Sequence, residues 1–133
     1  MKRIFIDSDV LLDALLKRPE FSLAAMNILS LSNGMNLYTS SVVFVNVHYF
    51  LDKFERQSKF LLLRKLRRAI RIVNVDEKII DSALSSGVND FEDAVQHFAA
   101  LSARCEIIIT RNLKDYKHSS IPVLTPEQFL QTL

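Results

Sequence analysis

The chain has 133 residues, 49% of them hydrophobic, with two glycines and three prolines. That is enough apolar material for one folded domain over 1–133, and it excludes a disordered chain. The single cysteine, Cys105, excludes an internal disulfide and a multi-cysteine metal site, and reads as a small core residue. No stretch is long and apolar enough to cross a bilayer, and Met1-Lys2-Arg3 leads into a strand rather than a signal peptide, so the expected location is the cytoplasm. A net charge of +2 says little until its distribution is considered.

Arg3 to Ile6 reads as a short buried strand, followed at once by Asp7-Ser8-Asp9. The apolar run from Val10 to Leu16 then reads as a helix ending before Pro19, with Ser8 or Asp9 placed to cap it. The two acids serve equally well as a turn and cap or as a chemical site. A second helix is expected over 21–31, closed by Asn33-Gly34, and a second strand over 35–38. Thr39-Ser40-Ser41 caps a long apolar helix from Val42 to about Phe54. Within it, Asn46 is either a satisfied core or edge amide or a group pointing at the same cleft as Asp7. His48 has no second histidine at metal-binding spacing and reads as packing.

From Lys53 to Arg71 the chain turns basic, with eight cations against Glu55 alone, a local charge of +7. Phe60, Leu61, Leu62, Leu63, Leu66 and Ile70 give that segment one apolar face, so the rest is a cationic helix face. It is a solvated surface or a collector of phosphate backbone, with Arg64, Lys65, Arg67 and Arg68 as candidate contacts and Arg111 beside them.

A third strand is expected over 70–75, and Asp76 caps a helix reaching about Leu84 before the Ser85-Ser86-Gly87 break. Asn89 to Tyr116 is the stretch that organises the rest. Asp90, Glu92 and Asp93 head an amphipathic helix, Ile107 to Ile109 form a buried strand, and Thr110-Arg111-Asn112 and Asp115 follow its end. Ile121 to Leu124 is a last strand, with Pro122 marking an edge. Thr125-Pro126 opens a final helix. Strand and helix alternate throughout, so the expected fold is a three-layer α/β/α domain on a mostly parallel sheet.

Function in such a sheet sits at the carboxyl ends of the strands. Asp7, Asp93 and Asp115 are each expected at that edge. Converging carboxylates repel one another and are held together by a hard divalent cation such as Mg²⁺ or Mn²⁺. A cation so placed can activate water and neutralise charge on a scissile phosphate. An acidic cleft with a basic approach surface is what a metal-dependent nuclease needs.

Three segments carry a resemblance to the PIN-domain family across nearly the whole chain. They are Ile6-Asp7-Ser8-Asp9-Val10-Leu11-Leu12-Asp13, Asp90-Phe91-Glu92-Asp93-Ala94, and Ile109-Thr110-Arg111-Asn112-Leu113-Lys114-Asp115-Tyr116. The resemblance implies an α/β/α nuclease fold, Mg²⁺ or Mn²⁺ at a carboxylate cluster, and endoribonuclease activity on single-stranded RNA. It also implies a toxin of a toxin–antitoxin pair, with a small antitoxin partner and a homodimer. Carried over, Asp7 is similar to the first metal-binding Asp and Asp93 to the acid heading the central helix, with Asp90 as its neighbouring alternative. Asn112 and Asp115 resemble the last polar pair, Thr110 would help position metal-bound water, and Ser8 supports the cluster. The departure is Asn46, where many PIN nucleases carry a Glu; an amide carbonyl remains, but one negative charge is lost. The second reading is a catalytically weak PIN-like module that binds RNA or a protein through the 53–71 segment.

Overall fold

A computed structural model describes all 133 residues. The elements run β1 (Arg3–Ile6), α1 (Ser8–Leu15), α2 (Ser22–Leu29), β2 (Asn36–Ser40), α3 (Ser41–Phe54), α4 (Lys59–Ala69), β3 (Arg71–Val73), α5 (Glu77–Ser85), α6 (Phe91–Ser102), β4 (Ile107–Ile109), β5 (Val123–Leu124) and α7 (Pro126–Leu130). Short 3₁₀ turns cover Ser30–Asn33 and Leu113–Tyr116. The sheet order is β3-β2-β1-β4-β5. Every pair is parallel, so the expected mostly parallel sheet is wholly so.

Alternation within the strands builds the three layers. Ile4, Ile6, Leu37 and Ile109 face one core, closed by Leu11, Ile28, Val43, Leu51, Leu66 and Phe129 from the helices on that side. Phe5, Tyr38 and Ile108 face the other, closed by Ile79, Ala94, Val95 and Ala99 of α5 and α6. Cys105 is a buried free thiol in this second core, as its apolar surroundings in sequence suggest. Each fully buried Ile or Leu contributes roughly 1.5–3 kcal/mol, so both sheet faces are anchored independently of any ligand.

Side-chain caps place the helix starts. Ser40, Asp76 and Thr125 accept from the backbone N–H groups of Val43, Ile79 and Gln128. Asp90 does the same for Asp93. The cap of α1 is Asp7 itself, accepting from Ser8 N–H, rather than Ser8 or Asp9. Four of these five helices (α1, α3, α5 and α7) come next after a strand in the chain, so helix N-termini, with their partial positive charge, gather at the carboxyl edge of the sheet. The second helix ends two residues earlier than expected, because Ser30 to Asn33 tightens into a 3₁₀ turn. Gly87, at φ 75, makes the predicted break between α5 and α6.

Candidate active site

β1 and β4 are neighbours, so their carboxyl ends bring Asp7 and Thr110 together. Thr110 Oγ1 donates to Asp7 Oδ2 at 3.0 Å, and Ser8 N–H donates to Asp7 Oδ1 at 2.8 Å. Asp7 is buried, and burial, helped by the nearby Asp9 charge, pushes its carboxyl up to about 7 against the pull of those donors. Across from it, Asp93 projects half-buried from the first turn of α6. Its carboxyl is also pushed up to about 7, by desolvation first and then by the charges of Asp90, Asp7, Asp115 and Glu92. Asp7, Asp93 and Asp115 therefore share one electrostatic neighbourhood, and none of the three is in an ion pair.

The neighbouring polar groups are partly committed. The Asp90 carboxylate is spent on the cap of α6, leaving Asp93 as the free acid of that pair. Asp9 accepts from Arg111 N–H at 2.9 Å and from Asn112 Nδ2 at 3.2 Å. It thus fastens the loop after β4 onto α1, a role its sequence position did not reveal. Asn112 is held there as the donor to Asp9, and Asp115 stands exposed in the following 3₁₀ turn. Asn46 lies outside both cores. Its Nδ2 is 3.5 Å from Glu92 Oε1, and the two line a recess of about 260 Å³ with Ser8 and Leu12. Asn46 thus looks across the start of α1 and α6. Tyr116 is buried at the edge of the same site, its hydroxyl turned toward Asp7 without a hydrogen-bond partner.

The cations are distributed differently from the expectation. Arg111 is an internal strut: its Nε is 2.6 Å from Asp13 Oδ2, and its guanidinium lies 4.0 Å over the Phe21 ring. Arg67, Arg68 and Arg71 line a polar recess of about 380 Å³ with Asn36. Asn36 and Arg71 are the first residues of β2 and β3, so this recess is at the amino edge of the sheet, opposite the carboxylates. Asp52, one residue before the basic window, pairs with Lys59 and Arg56 and reduces its charge. The cations that do reach the carboxylate edge are Lys114 and Lys117.

No three His, Cys, Asp or Glu side chains converge closely enough to form a finished metal cage. The donor chemistry nonetheless fits a hard divalent ion. Mg²⁺ is commonly held by only one or two carboxylates, keeping several waters. Asp7 and Asp93 offer two carboxylates whose pKa values are raised by burial first and by neighbouring negative charge second.

An all-parallel α/β/α domain with an acidic cleft at its carboxyl edge belongs to the class of open α/β folds that bind their ligands at the strand ends. The sequence model of the PIN domain matches residues 3–114, and the chain belongs to that family. No curated protein matches it in sequence. Among solved structures it is similar to VapBC2 of Rickettsia felis bound to a promoter DNA fragment, at 15% identity and TM-score 0.72, covering 92% of this chain and 98% of that one. A toxin–antitoxin complex from Klebsiella pneumoniae is similar at 23% identity and TM-score 0.68, over 92% and 97% of the two chains. The sarcin–ricin loop cleaving toxin VapC20 of Mycobacterium tuberculosis is similar at 15% identity and TM-score 0.64, over 79% and 86%. At these identities the likeness concerns the fold.

Proposed function

We propose that the protein is a metal-dependent endoribonuclease acting on single-stranded RNA, the toxin of a toxin–antitoxin pair working in the cytoplasm. The observation that carries this reading is the pair Asp7 and Asp93, two carboxylates at the carboxyl edge of a PIN domain with raised pKa values and no ion-pair partner. Asp7 and Asp93 would hold Mg²⁺ or Mn²⁺, with Asp115 adding negative charge from the facing loop. Bound there, the ion supplies Lewis-acid activation of water and charge neutralisation at the phosphate. Thr110 fixes the Asp7 carboxylate through its hydroxyl, and Ser8 fixes the other oxygen through its backbone N–H. Asp9 and Asn112 hold the loop that presents Asp115.

A protein partner is supported by the outer face of α3 and the start of α4. Val45, Tyr49, Phe54, Phe60 and Leu61 are each more than half exposed there, more apolar surface than a monomer gains from showing. We assign this face to an antitoxin or to the second copy of a homodimer.

The test is cleavage of a labelled single-stranded RNA with Mn²⁺, Mg²⁺ or EDTA by wild type and Asp93→Asn. The reading expects cutting that needs the metal and disappears in a variant with unchanged circular dichroism. Equal cutting by Asp93→Asn removes Asp93 from the site, and no cutting by folded wild type with either metal overturns the nuclease reading.

A further inference from the structure

The ribonuclease reading leaves open how an RNA strand is held beside an acidic cluster that repels it. The cleft next to Asp93 is about 570 Å³, within the range of sites that take a small ligand. One wall carries Asp90 and Asp93 at the start of α6, and the other carries Lys114, Asp115, Lys117 and His118 on and just after the turn that follows β4. The chain has four ion pairs, and none of them involves either lysine or any of these three acids. Two ammonium groups thus share a cleft with three carboxylates without being neutralised by them. The His118 Nε2 in the same wall is buried without a hydrogen-bond partner, a second polar group left unspent here.

The alternative cationic surface is badly placed for this cleft. Arg67, Arg68 and Arg71 open at the amino edge of the sheet, and β2, five residues long, separates the two edges by ~15 Å at ~3.3 Å per residue. Lys114 and Lys117 flank Asp115 on one short turn, so the groups that would approach the metal and those that would take phosphate move as one unit.

We propose that Lys114 and Lys117 form a phosphate-binding subsite for the RNA strand immediately beside the scissile bond, resting on the ribonuclease reading above. A lysine serves here as a mobile point charge on a phosphodiester, matching backbone rather than base. Arg67, Arg68 and Arg71 of the basic segment are then not the surface that feeds the cleft.

The experiment measures anisotropy of a labelled single-stranded RNA on the Asp93→Asn protein in EDTA, across about 50 to about 200 mM salt. Adding Lys114→Ala and Lys117→Ala should reduce the slope of log affinity against log salt by about 1.4, since each single-strand phosphate contact accounts for about 0.7. Arg67→Ala with Arg68→Ala should take away a smaller part of the slope than the lysine pair. In the otherwise wild-type enzyme, the lysine pair should raise KM about tenfold while kcat and Mn²⁺ affinity stay within about twofold. An unchanged slope and KM in the lysine variant overturn the subsite while leaving cleavage, and so the ribonuclease reading, standing. A wild type that neither binds nor cuts RNA overturns both.

Discussion

Arg111 closes on Asp13 with Nε to Oδ2 at 2.6 Å and Nη2 to Oδ1 at 3.1 Å, a two-pronged ion pair in which the Asp13 side chain is 1% exposed. This pair ties the loop after β4 to the middle of α1, the helix that Asp7 caps. Arg111→Ala leaves a buried carboxylate with only Arg18 Nη1 at 3.1 Å. Breaking such a pair costs about 3 kcal/mol, at the low end of the usual range because Arg18 remains. Urea unfolding should show that loss, and Asp13→Asn in the same background should recover part of it. A loss below about 1 kcal/mol would show that the pair is incidental to the fold.

Asp7 and Asp93 each stand at about 7, well above the ordinary carboxylate value of about 3.9. A raised acid binds a proton in the folded state that the unfolded chain has released. The stability it lends is therefore complete below about pH 4 and lost as pH rises through about 7. Metal-free protein should melt lower at about pH 8 than at about pH 5. Asp7→Asn keeps the cap of α1 and a partner for Thr110, and should raise stability at the higher pH by about 1–2 kcal/mol. Mn²⁺ should have a similar stabilising effect on wild type and much less on Asp7→Asn. Melting temperatures that stay flat with pH in both proteins would contradict this account.

The strand–cap–helix joints were legible because their signals are local. Ser40, Asp76 and Thr125 cap where side-chain chemistry and apolar periodicity meet. Asp7 and Thr110 could be placed at one edge because parallel topology sends all strand ends the same way. What escaped the sequence depends on partners far along the chain. Asp13 sits inside an apolar helical run, and its role appears only when Arg111 folds back on it. Asp9 looked like a cap and is instead a clamp on residues 111 and 112. The basic segment was visible as charge, but the position of its Arg67, Arg68 and Arg71 opposite the carboxylates follows from α4 running into the amino end of β3, and composition carries no such information.

Tyr116 is 2% exposed, and its hydroxyl has no hydrogen-bond partner although it faces Asp7. An unpaired buried hydroxyl costs about 1–3 kcal/mol, so Tyr116→Phe should leave the melting temperature unchanged or higher. If that hydroxyl supports Asp7 in the loaded site, Mn²⁺ should bind about fivefold more weakly to the variant, the equivalent of about 1 kcal/mol for one hydrogen bond. Calorimetry on both proteins separates the two effects. Unaltered Mn²⁺ binding would make the hydroxyl a passive packing defect.

Asn46 and Glu92 face each other at 3.5 Å across the recess between α3 and α6, with Ser8 beside them. The amide donates there, so it neutralises nothing and leaves Glu92 as the only acid of the pair. Asn46→Glu would set two carboxylates against each other and cost about 0.5 kcal/mol without metal at low salt. With Mn²⁺ present the sign reverses, because affinity for a hard cation rises with the number of anionic ligands. We expect about tenfold tighter Mn²⁺ binding by calorimetry, a gain of about 1.4 kcal/mol, and faster cleavage at limiting metal. Asn46→Ala removes the contact without adding charge and should leave Mn²⁺ affinity within about twofold. If Asn46→Glu binds Mn²⁺ no better than wild type, α3 lies outside the metal's reach and the site is built from α1, α6 and the loop after β4 alone.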